Sequence, residues 1–255
     1  MKPPVVCIKI GGRAMEETDS FARLLRDIAE LSVKFRFVFV HGGGAEVTRL
    51  SSQLGLKSIF VDGVRMTSAR EMEVVDMVLA GKLNKNMVRR FFAAGIEAVG
   101  LSGSDGAIFL GERLNDDTCT GRVIDVRVRL LHALIEGGWT PVIASTSMDP
   151  LGMPININGD EAAFAVASGL PASQLLFISD VPGVLKDDAV ISSMNPKQAR
   201  EEIQEGTIFG GMIPKVESAL DAIGKGVESV KIGDFQNKGD ISALLDGTKG
   251  TTIKA

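Results

Sequence analysis

Histidine and cysteine are scarce in this chain, with two of each among 255 residues. Their scarcity narrows the chemistry. Cys7 and Cys119 lack C-x-x-C spacing and lie in strand-like or loop sequence. A redox pair, a zinc set and a disulfide are therefore not expected, and a reduced, cytoplasmic compartment is. His41 opens "HGGG", which resembles an esterase oxyanion loop, but no G-x-S-x-G elbow accompanies it. His132 falls in helix-like "RLLHALIEGG". Absence of G-x-x-x-x-G-K-[ST] excludes a P-loop, and no G-x-G-x-x-G follows a strand-like run. No apolar run approaches the length of about 18 residues that a membrane span needs, and the N-terminus has no signal-peptide pattern. Charge is balanced, 28 Lys and Arg against 32 Asp and Glu, net -4, with the signs interspersed. No nucleic-acid face is implied. There is no internal repeat or low-complexity tract.

What is present is ordinary globular material, 45% apolar and 24% charged. Apolar runs alternate with helical periodicity. "VVCIKI" (5–10), "FRFVFV" (35–40), "IEAVGLS" (96–102), "TPVIAS" (140–145), "QLLFIS" (174–179) and "ESVKIG" (228–233) read as strands. Residues 19–34, 68–94, 160–168, 196–205 and 215–225 read as helices, with another starting near Ala45. Such alternation predicts an α/β fold with a mainly parallel central sheet between layers of helices. Residues 107–126 and 150–157 break the pattern as two hairpin excursions. An N-terminal lobe (1–150) and a C-terminal lobe (151–255) are expected to meet near Pro150. Within 68–94, Val75, Leu79, Leu83, Met87 and Phe91 recur every fourth residue as a stripe facing the sheet. Met77, Val78, Val88 and Phe92 lie off it, more apolar surface than one face buries, and predict a symmetric homodimer.

Ligands of open parallel sheets bind beyond the carboxyl ends of the strands. Here those ends carry "KIGG", "HGGG", "SGSDG" and "SDVPG". Glycine lets backbone N–H groups approach an anion, and a helix after "HGGG" adds its positive end. Any single cluster is equally well a tight turn; four at one edge point to phosphate or carboxylate. Charged residues accompany them: Lys9 before Gly11 and Gly12, Asp160 opening a helix, Asp180 after "FIS", and Lys215 in "FGGMIPK". A snorkelling lysine, an N-cap, a turn aspartate and an exposed lysine would each account for one of these. The first-turn lysine is the odd one, because a helix N-terminus disfavours a cation unless an anion is near.

The ordered motifs "IKIGG" (8–12), "VHGGG" (40–44), "DGVRMT" (62–67), "MVLAGKLNK" (77–85), "VGLSGSDG" (99–106), "NINGDEAA" (156–163), "SDVPGVL" (179–185) and "GGMIPKVESAL" (210–220) span almost the whole chain. In this combination the chain resembles the amino acid kinase family, and within it the acetylglutamate kinases of arginine biosynthesis. The resemblance implies an open αβα sandwich whose N-terminal lobe binds N-acetyl-L-glutamate and whose C-terminal lobe binds ATP. It implies that Lys9 and Lys215 act on the transferring phosphoryl group and that Asp160 holds both. Gly11, Gly12, Gly43 and Gly44 would surround that group with N–H donors, Gly43 and Gly44 also touching the acidic substrate. Arg65, Asn156 and Asn158 would bind the substrate. Asp180, Val181, Pro182, Gly183, Val184 and Leu185, with Thr207, Ile208 and Phe209, would hold the nucleotide. Mg2+ would arrive with ATP, with no metal ligands from the protein.

Ser104 and the loop "STSMDPLGMP" (145–154) depart from the family pattern, on the substrate side. A carrier-bound aminoadipate kinase and a non-catalytic module of the same fold are the alternatives. "VLAGKLNK" argues against the first, and retention of Lys9, Asp160 and Lys215 against the second. Arginine-inhibited relatives are hexamers joined by an extra N-terminal helix. "MKPP" is too short and proline-rich to form one, so a homodimer insensitive to arginine is the expectation.

Overall fold

The computed structural model describes residues 2–11, 18–61 and 63–255. In chain order the elements are β1 (Val5–Ile10), α1 (Thr18–Leu31), β2 (Arg36–His41), α2 (Gly44–Gln53), β3 (Phe60–Val61), β4 (Val64–Arg65) and α3 (Ala69–Asp76). A π-helical segment (Met77–Leu83) leads into α4 (Asn84–Ala93). Then come β5 (Ala98–Ser102), β6 (Phe109–Arg113), β7 (Thr120–Val126), α5 (Arg129–Glu136), β8 (Thr140–Ala144), β9 (Thr146–Met148), β10 (Pro154–Ile157) and α6 (Gly159–Gly169). The chain ends with β11 (Gln174–Ile178), β12 (Leu185–Lys186), β13 (Ala189–Val190), β14 (Ser193–Met194), α7 (Pro196–Gln204), α8 (Met212–Gly224), β15 (Ser229–Gly233), α9 (Asp240–Asp246) and β16 (Thr251–Lys254).

One eight-stranded sheet carries the fold, in the order β14-β16-β15-β11-β1-β2-β8-β5. Every pairing is parallel except β15 with β16. Strands from residues 1–150 form one half and strands from 151–255 the other, meeting between β1 and β11. From β1 the chain moves to β2 on one side, and from β11 to β14 and then β15 on the other. The divergence opens a crevice beyond the carboxyl ends of β1 and β11, the switch point where such sheets bind ligands.

Alternation along β1 sorts its side chains between two cores. Val6, Ile8 and Ile10 point into the layer where Phe21, Leu24, Leu25 and Ile28 of α1 lie at 3, 4 and 7 spacing, all buried. Cys7 points to the other face, into a core with Ala162, Ala163 and Val166 of α6. The alanines keep α6 close to the sheet. Lys9, two residues after Cys7, lies on that same face and reaches Asp160 in the first turn of α6. Cys7 and Cys119 are buried free thiols.

The excursions at 107–126 and 150–157 come together. β6 pairs with β7, β10 with β7 and β9, and β6 with β9, closing a small four-stranded barrel beside the sheet. The helical stripe at 68–94 is buried at Val75, Leu79, Met87 and Phe91, as its spacing predicts. Val78 is buried too, against expectation. The π turn holds more than 3.6 residues and so rotates Val78 inward. Met77 and Phe92 stay exposed, at 55% and 81%.

Candidate active site

The crevice is built from strand exits and helix beginnings. Lys9 leaves β1 between β2 and β11, paired in register with Val40 and Phe177. Asn158 caps α6, its Oδ1 accepting from the Asp160 amide at 2.8 Å. Its cap fixes the first turn and aims the Asp160 carboxylate at the strand exits. Lys9 Nζ lies 2.6 Å from Asp160 Oδ1, and Lys215 Nζ lies 3.1 Å from Oδ2. The first contact is close but misaligned for a hydrogen bond, so it is an ion pair; the second is a hydrogen bond as well. Lys215 ends the first turn of α8, and its anion is the carboxylate of the neighbouring helix. This resolves the oddity of a lysine at a helix start.

All three side chains are largely buried, 13%, 9% and 21% exposed for Lys9, Asp160 and Lys215. Burial alone would raise the Asp160 carboxyl, but attraction to Lys9 and Lys215 wins and holds it below its ordinary value. The bridge therefore carries two positive charges and one negative, a surplus facing the crevice.

Two cavities flank it. One of about 180 Å³ is lined by Gly42, Gly43 and Gly44, by Phe60 and Arg65, and by Asn156, Asn158 and Gly159. Gly43 precedes α2 without any side-chain cap, so the helix start is open to an anion. Arg65, 8% exposed, spends four of its five N–H donors within the protein. Nη1 donates to Ser58 Oγ and Glu71 Oε1 at 2.6 and 2.7 Å. Nη2 donates to Gly44 O and Thr48 Oγ1 at 2.9 and 2.7 Å. The guanidinium also stacks over Phe60 at 4.7 Å. Arg65 thus ties the β3–β4 hairpin to the glycine loop and to the first turns of α2. Asn156 donates through Nδ2 to Thr67 Oγ1 at 2.9 Å.

The second cavity, about 330 Å³, is lined by Asp180, Val181, Gly183, Val184, Leu185, Thr207 and Phe209, with Met212 and Lys215. Phe209 is 74% exposed and offers an aromatic face at its rim. Pro182 and Ile208 do not line it; Ile208 is a core residue, 1% exposed. Lys9, Gly11, Asp180 and Lys215 line a third and larger cavity, about 760 Å³, with residues of α1 and of the segment after β15. Gly12 lies outside the described residues. Among the described residues no helix is long and apolar enough to cross a membrane.

Sequence reading missed Glu71, which neutralises Arg65 and accepts from Ser58 at 2.6 Å. "SARE" (68–71) reads as a capping box that would occupy this carboxylate. Only half the box forms: Ser68 Oγ accepts from the Glu71 amide, while the carboxylate turns inward.

An open α/β sheet whose strand exits hold a lysine pair across a carboxylate, beside separate cavities, is an α/β protein with a candidate anion site at its switch point. Residues 4–234 match the family model described as "Amino acid kinase family", and the chain belongs to that family. Its relatives include the acetylglutamate kinase of Halalkalibacterium halodurans, 37% identical over 254 residues and covering 98% of this chain and 96% of its own. Another is the acetylglutamate kinase of Synechococcus sp., 41% identical, covering 98% of this chain and 83% of its own. A crystal structure of a Streptococcus mutans protein superposes with TM-score 0.83 at 29% identity, over 98% of both chains. Giardia carbamate kinase shares the fold at TM-score 0.75 and 15% identity, over 100% of this chain and 99% of its own.

Proposed function

We propose that this protein transfers the γ-phosphoryl group of ATP to the side-chain carboxylate of N-acetyl-L-glutamate, giving N-acetyl-L-glutamyl 5-phosphate and ADP. The observation that carries this is the bridge Lys9–Asp160–Lys215 set between two cavities. The acceptor occupies the Gly42–Gly44 and Arg65 cavity, lined mainly by residues of 1–150 and closed by Asn156, Asn158 and Gly159. The nucleotide occupies the Asp180–Leu185 and Phe209 cavity of residues 151–255. Phosphoryl transfer between two anions needs positive charge and in-line placement more than covalent help. A carboxylate is already ionised at neutral pH, so the nucleophile needs no base. Lys9, the glycine N–H groups and Lys215 meet the charge on the equatorial oxygens, and Asp160 keeps the two ammonium groups apart and in place. Arg65 and Asn156 line the acceptor cavity and would orient the acceptor's α-carboxylate.

Mg2+ enters with ATP and neutralises phosphate charge, keeping mostly phosphate and water ligands. Asp180 borders both the nucleotide cavity and the lysine cavity. The exposed Met77 and Phe92 support a homodimer whose second copy covers them; light scattering would return twice the chain mass. Two buried free thiols suit the reducing cytoplasm.

A substrate panel with Mg-ATP, trapping acyl phosphate as hydroxamate, tests the assignment. N-acetyl-L-glutamate should react well and L-glutamate or L-aspartate poorly, because a free α-amine puts a cation where the acetamide belongs. Equal turnover of glutamate, or preference for an aminoadipate, would sink it.

A further inference from the structure

His41 and the motif "VLAGKLNK" (78–85) have no part in the scheme above, yet they meet behind its glycine loop. His41 is the last residue of β2 and is fully buried. Asn84, also fully buried, follows the π-helical segment. Its Nδ2 lies 3.1 Å from Leu101 O, 2.8 Å from Val142 O and 3.1 Å from His41 Nε2. The other side of the ring, Nδ1, lies 2.9 Å from Gly42 O.

Carbonyls only accept, so the end of the Asn84 amide facing Leu101 and Val142 is its NH2, and Lys85 Nζ donates to the other end, Oδ1, at 3.1 Å. Two amide hydrogens are shared among three neighbours, and a hydrogen on His41 Nε2 would meet the NH2 donor to donor, so Nε2 is the bare, accepting nitrogen. The proton of a neutral ring then sits on Nδ1 and is donated to Gly42 O. Burial holds the ring neutral, lowering its pKa to about 4. No peptide in the described chain is cis, so the Gly42 carbonyl and the Gly43 N–H point in opposite directions. With the carbonyl turned toward His41, the Gly43 N–H turns away from the ring, and Gly42, Gly43 and Gly44 line the cavity beside it. Leu79 and Leu83, from the same π-helical segment, pack against Gly43 where a Cβ would stand. π-helical turns are frequent at functional sites, and this one delivers Leu79, Leu83 and Asn84 to one loop.

We infer that His41 and Asn84 are positioning residues: the sheet carbonyls orient Asn84, Asn84 sets the His41 tautomer, and His41 turns the Gly42–Gly43 peptide so that its N–H meets the reacting group. This rests on the function proposed above. An unanchored diglycine loop would sample both peptide orientations, and the flipped one would present a carbonyl to an incoming phosphoryl oxygen.

Two measurements test this. In wild-type protein labelled with 15N-histidine, the His41 resonances at pH 7 should show the neutral ring protonated at Nδ1. A ring protonated at Nε2, or an imidazolium, would overturn the inference without any variant being made. Kinetics supply the second test. His41→Leu should lower kcat by about 10²-fold, the worth of one preorganised donor, with the KM for ATP changed less than threefold. His41→Asn, whose amide N–H reproduces the Nδ1 donor, should recover at least tenfold of that loss. A leucine variant within threefold of wild type, or an asparagine variant no better than leucine, refutes the inference. Failure of every acidic acceptor to turn over would instead sink the proposed function, and with it the use assigned to this N–H, even with the tautomer as described.

Discussion

Asp160→Asn removes the single negative charge between two ammonium groups while preserving shape. At 2.6 and 3.1 Å, and an effective dielectric of about 20, the gross attractions are roughly 6 and 5 kcal/mol. Desolvation offsets much of this, so losing one partner of such a buried set costs about 3–5 kcal/mol net. For a chain of this size that lowers the melting temperature by roughly 6–20 °C. Both lysines lose their anchor, and each acts as a preorganised charge worth about 10²–10³ in kcat. The expected fall in kcat is about 10³-fold, close to 4 kcal/mol of barrier.

A merely structural role would weaken nucleotide binding as well. The bridge predicts the reverse: two ammonium groups without a protein counter-ion attract the triphosphate more strongly. The KM for ATP should hold or fall, and added Mg-ATP should raise the melting temperature more in Asp160→Asn than in wild type. Acid behaviour follows with the same sign. The folded carboxyl is held below its ordinary 3.8. Its stabilisation is therefore complete above that value and lost as pH falls through the lower folded one; the variant lacks that loss. Steady-state kinetics and calorimetry with and without nucleotide decide the matter. A kcat within fivefold of wild type, or a raised KM for ATP with kcat unchanged, would refute the reasoning.

Lys215→Ala should reduce kcat by about 10²-fold or more with little change in acceptor KM, because its charge acts as the phosphoryl group moves. Arg65→Lys should do the reverse, raising acceptor KM with a smaller change in kcat, since one ammonium cannot serve Glu71, Ser58, Thr48 and Gly44 together; matching kinetic signatures would contradict both roles. Gly43→Ala places a Cβ against Leu83 and Leu79 and should cost at least tenfold in kcat/KM. Adding Leu83→Ala should restore part of that, and a strictly multiplicative double variant would show the clash to be irrelevant. His41 is held neutral, with a folded value of about 4 against an ordinary 6.5. The unfolded chain takes up its proton first, so stability is full above 6.5 and falls by up to roughly 3 kcal/mol toward pH 4. Melting scans at pH 7.5 and 4.5 should show a smaller drop for His41→Asn than for wild type, and equal drops would refute this.

The parallel sheet was legible because most of its strands are apolar runs and four of them lead into glycine clusters. β16 was not. "TTIK" (251–254) is short, follows a glycine turn, and pairs antiparallel to β15 and parallel to β14, a placement set by tertiary contacts alone. The charged end of the site was legible for a related reason. A lysine or aspartate among apolar and glycine residues has few solvated faces to occupy, so Lys9, Asp160 and Lys215 stood out one at a time. Only their mutual geometry needed coordinates. Glu71 and Asn84 stayed hidden because each lies in a helical segment rich in polar residues, where local rules supply a surface or capping role. What draws them inward is the partner they meet, Arg65 for one and His41 for the other, and sequence spacing carries no trace of it.

The two hidden residues share a consequence for how the acceptor cavity is held. Its glycine loop has almost no side chains of its own with which to keep a conformation, and the same bareness admits an anion to its N–H groups. Rigidity must then come from outside. Arg65, neutralised by Glu71, grips the Gly44 carbonyl. His41, set by Asn84, grips the Gly42 carbonyl. Leu79 and Leu83 close the side at Gly43. A carbonyl engaged by a side chain fixes the peptide plane, and with it the direction of the next N–H. A preorganised donor contributes to catalysis only if turning it away is costly, and here that cost is set by buried groups from three separate elements.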